Sequence, residues 1–507
     1  MTDSHSGFAS DLIQDGFLRA ADQTPDKTAV VCADERYTFA QLAERTQNLA
    51  GAIKTQLGPD QAQPRIAMAL HNSPVVIDVF FATLLAGGHV CLCDPAWPQS
   101  LLKRILNDHE PDLLICNEEI AAQHQDKAKH IEILTPRVLT DLVSSPAATE
   151  SPFDSCGTII SPDTPFLLGF TSGSSGHPKG FIRNHRTWTE SFHHSAIEFD
   201  TAQTDCVLAP GPLSHGLSLY AVVEALCAGS TAILQPRFDP AALISILENE
   251  SVSTIVMVPT MLDVLLEQAK ERTFSNIKNI VTAGAKLSPN LRLRAKAVCP
   301  QSDIIEYYGA SELSFVTLAK GSEAVPAASV GRPFHGVNIE IRDAVGVEVS
   351  VGQVGTVWVR SKMLCSGYVG PTDGSGFRTD GDWATVGDLG HCDADGYLFL
   401  DGREGAAITS GGYTVYPSAI EAALLSHALV MDAAVIGVPH PRWGEVIAAA
   451  VVPASNAELT EGDLLSHCQK VLEPYACPRQ WRITETLART PSGKIKRDVL
   501  VSLFESK

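Results

Sequence analysis

Positive charge is scarce in this chain. Its 507 residues carry 38 Lys and Arg against 58 Asp and Glu, a formal net charge of -20. That imbalance argues against a nucleic acid or an anionic membrane surface as the main partner, so any anionic ligand needs a local basic pocket. Long apolar runs are missing as well. The most membrane-like stretch, Val75 to Cys93, is broken by Asp78 and by Gly87-Gly88, and is expected to form a buried helix and a strand rather than a membrane span. The first twenty residues hold early acids and no basic segment ahead of an apolar core, so no signal peptide is expected. The twelve Cys stand singly apart from Cys91 and Cys93, a pattern of neither a disulfide framework nor a zinc site, which points to the reducing cytoplasm. His193-His194 lacks a partner at metal-ligand spacing and reads as packing. Repeats and low-complexity tracts are absent.

What is present describes an ordinary globular protein, with 45% hydrophobic and 19% charged residues. The length exceeds what one core usually supports, so at least two domains are expected, one of them large. Strand-like runs at Thr28 to Cys32, Arg65 to Leu70, Leu113 to Cys116, Phe166 to Phe170 and Thr254 to Val258 alternate with amphipathic segments such as Phe39 to Thr55 and Pro240 to Glu248. That alternation predicts layered α/β structure. Ser144 to Asp163 reads as a surface connection. Past Trp358 come a Gly-rich loop at 367–382, a hairpin in CDADGYLFL, and DGREG at 401–405, whose two glycines around Arg403 suit a mobile linker. From Ala406 onward a strand, a helix at Pro417 to Ser426, a strand at Ala433 to Val438 and a second helix at Thr460 to Val471 then make a small α+β unit. The expected division is a large multi-layer α/β domain at 1–402, a hinge at 403–405 and a small mobile α+β lid at 406–507.

The sharpest motif is TSGSSGHPKG at 171–180, directly after FLLGF. Gly173 and Gly176 let the backbone curl, Thr171, Ser172, Ser174 and Ser175 supply hydroxyls, and Lys179 adds positive charge, which together suit a polyphosphate. A P-loop needs Gly, four residues, then Gly-Lys-Ser/Thr, and this loop has no such Gly-Lys pair. Gly493-Lys494 is followed by Ile495 and has Ala488 where the first Gly belongs.

In order along the chain stand LLAGGHVCLCDPAWP at 84–98, the Ser/Gly loop, GPLSHG at 211–216, TAGAKLS at 282–288, YYGASE at 307–312, VGRP at 330–333, WATVGDLG at 383–390, DGREG at 401–405, SGGYTVYP at 410–417, PHPRWGE at 439–445 and TPSGKIKR at 490–497. Together they resemble the acyl-adenylate-forming superfamily: acyl-CoA and aryl-CoA ligases, adenylation domains of nonribosomal peptide synthetases, and luciferases. The resemblance spans nearly the whole chain and is closest to the acyl-CoA ligases.

It implies an AMP-forming ligase using ATP and Mg²⁺, with roles carried over residue by residue. Thr171, Ser172, Gly173, Ser174, Ser175, Gly176 and Lys179 would hold phosphates, Gly284, Ala285 and Tyr308 would form the adenine slot, and Lys286, Tyr307 and Gly309 would also bind the cofactor. Ser311 stands where a Thr is usual and keeps its hydroxyl near the phosphate. Glu312 would bind Mg²⁺, because a hard carboxylate oxygen suits that cation. Asp388 and Arg403 would take the ribose hydroxyls, and Lys494 would reach the acid's carboxylate and the α-phosphate, with Thr171, Glu312 and His215 also in catalytic positions. Two departures stand out: Val386 where a Thr is usual before Gly387-Asp388, and Gly405 where the hinge carries Asp or Lys.

For the acid, His215, Gly216, Leu217, Tyr220 and Met261 are expected to contact substrate, with Leu219, Val258 and Phe315 as further apolar walls. Amino-acid-activating relatives carry an Asp where Gly216 stands, so a non-amino aliphatic or aromatic acid is expected. For the acceptor, Gly411, Gly412 and Trp443 resemble the pantetheine tunnel of CoA ligases. A phosphopantetheinyl carrier protein remains an alternative acceptor, and an inactive regulatory or binding relative remains an alternative of another class. Oligomeric state is left open.

Overall fold

A computed structural model describes residues 12–58, 61, 63–124, 131–143, 160–171, 178–201, 205–326, 328–370, 376–404, 408–410, 413–454, 458–489 and 495–505. Its core is a pair of large, mostly parallel sheets with helices packed between and over them. The nine-stranded sheet has six mutually parallel strands side by side, Asp303–Ala310, Asn279–Thr282, Thr254–Met257, Cys206–Ala209, Thr231–Leu234 and Thr28–Cys32, with Ser314–Ala319 and Glu35–Thr38 antiparallel at its flanks. The seven-stranded sheet places Pro165–Thr171, His89–Leu92, Arg65–Ala69, Leu113–Cys116 and Glu132–Leu134 in parallel, then adds Lys179–Asn184 and Gly367–Val369 antiparallel at one side.

The Val75 to Cys93 stretch resolves into the helix Pro74–Leu85 and the strand His89–Leu92. Phe80 and Phe81 on this helix are fully buried and contact Phe17, Phe166 and Trp188, each such ring stabilising the fold by about 2–3 kcal/mol. Asp78, which breaks the apolar run, is buried and paired with Arg45 from the helix Phe39–Leu57. No helix among the described residues is long and apolar enough to cross a membrane.

A third, antiparallel sheet is built on Gly355–Arg360 and contains the hairpin of Asp388–Cys392 with Leu398–Arg403. The smaller C-terminal domain has its own core on the strands Val430–His440 and Gly444–Pro453, with the helices Pro417–Leu425 and Glu461–Val471 packed against them. C-terminal elements without a counterpart in the sequence reading include Gly444–Pro453, Gln480–Ile483 and the helix Arg497–Glu505. The C-terminal domain rests on the hairpin through Ser418, whose hydroxyl donates to the Asp401 carbonyl at 2.5 Å. Arg403 closes that hairpin opposite Asp388. Gly405, the departing hinge residue, lies outside the described residues.

Candidate active site

In open parallel sheets, loops at the C-terminal ends of the strands face the ligand. Here GPLSHG follows Cys206–Ala209, TAGAKLS follows Asn279–Thr282, and YYGASE ends Asp303–Ala310. Gly284 sits at φ +88°, a left-handed turn that a β-carbon would strain. Gly309 lies at a bulge against the neighbouring strand, where an added β-carbon would come 2.2 Å from the Ser314 carbonyl oxygen. Both glycines therefore follow from backbone geometry.

Two polar clusters form beside these loops. In the first, the Tyr308 hydroxyl donates to Asp388 Oδ2 at 2.5 Å, Arg403 Nε lies 3.5 Å from Oδ1 of the same carboxylate, and an Arg403 terminal nitrogen donates to the Val386 carbonyl at 3.1 Å. Burial, then the adjacent Asp388 charge, pushes the Tyr308 phenol well above its ordinary value, so it remains a donor. Val386 thus contributes its backbone where its side chain cannot.

In the second, Thr171 and Lys179 stand opposite each other at the base of the Ser/Gly hairpin. The Lys179 ammonium lies 5.8 Å from the centre of the Tyr368 ring, and the Tyr368 hydroxyl donates to Glu312 Oε1 at 2.6 Å. Glu312 is 5% exposed. Arg183, buried in the strand Lys179–Asn184, donates to the carbonyls of Ser311 at 2.7 Å and Met363 at 2.8 Å, fixing the turn that carries Ser311 and Glu312. Arg183 and Tyr368 were not singled out from the sequence. The signal for Arg183 was a charge placed directly after the apolar Phe181-Ile182 within the strand KGFIRN.

His215 caps the helix Gly216–Cys227, and its Nε2 lies 3.3 Å from Asp94 Oδ2, off the line of a hydrogen bond. Burial raises the Asp94 carboxyl, but the imidazole and the Ala96 amide outweigh it and hold it below the ordinary range. Asp94 lies in LCDPAWP and was missed because nothing in that motif pointed to His215.

Below the loops a partly open cavity runs down one face of the helix Gly216–Cys227. Leu217, Tyr220, Ala221 and Glu224 project into it at helical spacing, facing Phe199, Val256, Val281, Tyr307 and Phe315. Leu217, Tyr220 and Phe315 thus fall where a substrate pocket was expected. Tyr307, grouped above with the cofactor-binding residues, also lines this cavity. Among these mainly apolar walls stands Glu224, which the sequence reading did not single out; it is 7% exposed and accepts from the Ser195 hydroxyl. Burial pushes its carboxyl up to about 8.

Two further expected positions lie outside the cavity lining. Met261 packs against the hydrophobic cluster of Leu262, Leu265 and Leu266, and its Cε lies 3.8 Å from where a β-carbon on Gly211 of the GPLSHG loop would stand. The Lys286 ammonium is engaged by Glu306 at 3.2 Å and by the Ser329 carbonyl at 2.6 Å. Gly216, Leu219, Val258 and His215 are likewise outside the cavity lining. In the C-terminal domain, Trp443 lies between two guanidinium groups, Arg442 at 5.0 Å and Arg479 at 4.7 Å from its ring. Ser172, Gly173, Ser174, Ser175, Gly176, Gly411, Gly412 and Lys494 lie outside the described residues.

The chain is similar to other proteins along its whole length. An uncharacterized acyl–CoA ligase, YhfT of Bacillus subtilis (strain 168), is 35% identical over 488 residues, 95% of this chain and 96% of that one. A putative long chain fatty acid–CoA ligase, VraA of Staphylococcus epidermidis, is 29% identical over 483 residues, 95% of this chain and 96% of that one. The crystal structure of ATP-bound MatB from Rhodopseudomonas palustris superposes with a TM-score of 0.86 at 24% identity, covering 97% of this chain and 99% of that one, and shares the fold. With residues 17–369 matching the AMP-binding enzyme family and 419–494 its C-terminal domain, the chain belongs to the AMP-binding enzymes.

Proposed function

We propose that this protein is an ATP-dependent acid–CoA ligase that activates a non-amino carboxylic acid as its acyl adenylate and transfers the acyl group to CoA. The observation that carries the reading is a set of three features beside the loops that end the parallel strands. These are the Asp388 carboxylate between Tyr308 and Arg403, the Glu312 carboxylate beside Tyr368 and Lys179, and a mainly apolar cavity. The names of the full-length relatives YhfT and VraA support CoA ligation as the overall reaction.

In the first half-reaction a carboxylate oxygen of the acid attacks the α-phosphorus of ATP and the α–β bond breaks, releasing pyrophosphate. Asp388 accepts hydrogen bonds from the ribose hydroxyls while Arg403 donates to them. Thr171, Lys179 and the loop between them hold the phosphates, and Lys494 steadies the charge between carboxylate and α-phosphate. Glu312 offers a buried hard oxygen next to the phosphate loop and fits Mg²⁺, which when bound would neutralise phosphate charge. In the second half-reaction the CoA sulfur attacks the acyl carbon and AMP leaves. Trp443, flanked by Arg442 and Arg479, provides an aromatic face and positive charge suited to CoA's nucleotide, which a carrier-borne pantetheine lacks. We place the boundary between the domains at 403–405, and the protein in a reducing cytoplasm, a reading supported by the described cysteines all being free thiols.

The test is product analysis with Mg²⁺, ATP and a panel of acids, with CoA added or withheld. AMP and pyrophosphate are expected with acid alone, and an acyl-CoA when CoA is present. ADP and inorganic phosphate as primary products overturn the reading.

A further inference from the structure

Glu224 is the polar feature of the acid cavity that the reaction does not use. The helix that carries it starts at Gly216, beside the loops of the nucleotide site, and runs back along the parallel strands. Eight residues at 1.5 Å each put Glu224 about 12 Å further from those loops than Gly216. It shares the cavity wall with Thr254, the first residue of its strand, whereas the nucleotide loops follow the opposite strand ends. Glu224 therefore lies at the end of the cavity remote from the reacting carboxylate.

Its environment is that of a receptor group. One oxygen accepts from the Ser195 hydroxyl, the other has no hydrogen-bonding partner among the described residues, and the carboxyl lines the cavity. No Lys, Arg or His lines the cavity among the described residues, so no protein cation balances an ionised Glu224 there. A buried carboxyl without a cation stays protonated and can both donate and accept a hydrogen bond. Such a group satisfies a neutral hydroxyl or amine well. A ligand ammonium would require it to ionise in a water-poor wall. Phe199, Tyr220, Tyr307 and Phe315 supply the rest of the wall as ring faces and edges, which suit a flat ring.

We infer that the acid is an aryl carboxylic acid bearing a neutral hydrogen-bonding substituent, a phenolic hydroxyl or an aryl amine, at the end opposite its carboxylate, and that Glu224 holds this substituent. The inference rests on the ligase reading and names the substrate class of the same site.

The experiment measures acid-dependent pyrophosphate release with 3- and 4-hydroxybenzoate, 4-aminobenzoate and 4-hydroxycinnamate against benzoate and cinnamate, with 4-(aminomethyl)benzoate as the ammonium-bearing control. Wild-type protein should favour at least one substituted acid over its parent by about 10-fold to 100-fold in kcat/KM, because a buried polar group left without a partner is costly. Glu224→Gln, which still donates and accepts, should keep the preference within about threefold. Glu224→Met and Glu224→Leu, apolar and of similar bulk, should bring the ratio to about one or invert it, and either carries the test if the other does not fold. A wild-type ratio near one, a ratio unchanged in the apolar variants, or 4-(aminomethyl)benzoate as the best substrate overturns the inference while AMP formation leaves the ligase reading standing. Absence of AMP with every acid overturns both.

Discussion

The Tyr308 hydroxyl donates to the Asp388 carboxylate, joining the end of a strand in the nine-stranded sheet to the start of a hairpin in a separate antiparallel sheet. The same carboxylate faces Arg403 near the C-terminal domain, so one side chain joins the YYGASE loop, the hairpin and the approach to that domain.

Removing Asp388 should therefore cost more than removing the Tyr308 hydroxyl. Asp388→Ala takes away the ribose acceptor and leaves the buried phenol without its partner, and kcat/KM for ATP is expected to fall about 10²-fold, chiefly through KM. Tyr308→Phe deletes one donor and leaves Asp388 in place, with an expected loss below about tenfold. Steady-state pyrophosphate release against ATP concentration checks both, and equal losses would place the ribose elsewhere.

On the proposed ligase reading, variants at Glu312 and Tyr368 should separate metal binding from positioning. Glu312→Gln should raise the Mg²⁺ concentration for half-maximal rate at least about tenfold, because a neutral amide oxygen is a poorer ligand for a hard cation. Tyr368→Phe removes only the hydroxyl that orients the carboxylate at 2.6 Å, so its Mg²⁺ dependence should shift by a few-fold at most. A Mg²⁺ titration of the two variants decides, and an unshifted Glu312→Gln curve would remove the metal from this residue.

The layered fold was legible because buried parallel strands such as Leu113–Cys116 appear as uninterrupted apolar runs, and Asp78 and Gly87-Gly88 punctuate the apolar stretch where the helix and strand divide. Gly444–Pro453 escaped because its Ala-rich run, VIAAAVV, carries no alternation, being buried on both faces between two strands. The residues proposed for the nucleotide were picked out only through motif order. Nothing local in the sequence brings Tyr308 to Asp388, eighty residues away. Glu224 was missed because the amphipathic pattern places a lone Glu on a solvent face, whereas GLSLYAVVEALC is apolar all round and buries whatever it carries. That all-round apolarity was the available signal.

Transfer to CoA should fail separately from adenylation. Arg479→Ala removes one of the two guanidiniums flanking Trp443, and is expected to raise KM for CoA about tenfold, with the loss confined to thioester formation. Lys494→Ala should show the reverse, slowing adenylate formation about 10²-fold to 10³-fold while acyl transfer from a supplied adenylate persists. Pyrophosphate release and CoA acylation from preformed adenylate are the two assays. Losses of equal size in both assays for both variants would contradict the two-step assignment.

Glu224 should leave a signature in the pH dependence of stability. Its carboxyl is pushed from the ordinary 4.5 to about 8 by burial, only partly offset by the Ser195 hydroxyl. Because the folded value lies above the unfolded one, the native state keeps a proton that the unfolded chain releases between those pH values. The group's stabilising contribution is thus fully present below about 4.5 and is lost as pH rises through about 8. The titratable groups that face it, Tyr220, Tyr307 and Cys227, are all pushed upward by burial and stay neutral across that window. Glu224→Gln keeps the shape and removes the titration. Relative to this variant, the wild type should therefore lose stability on the order of a few kcal/mol between pH 5 and pH 8.5. Thermal unfolding of both proteins at these two pH values should show the Gln variant gaining several degrees on the wild type at the higher pH. A difference in Tm that does not change with pH would mean that Glu224 titrates alike in the folded and unfolded chain, and is not the buried neutral acid at the end of the cavity.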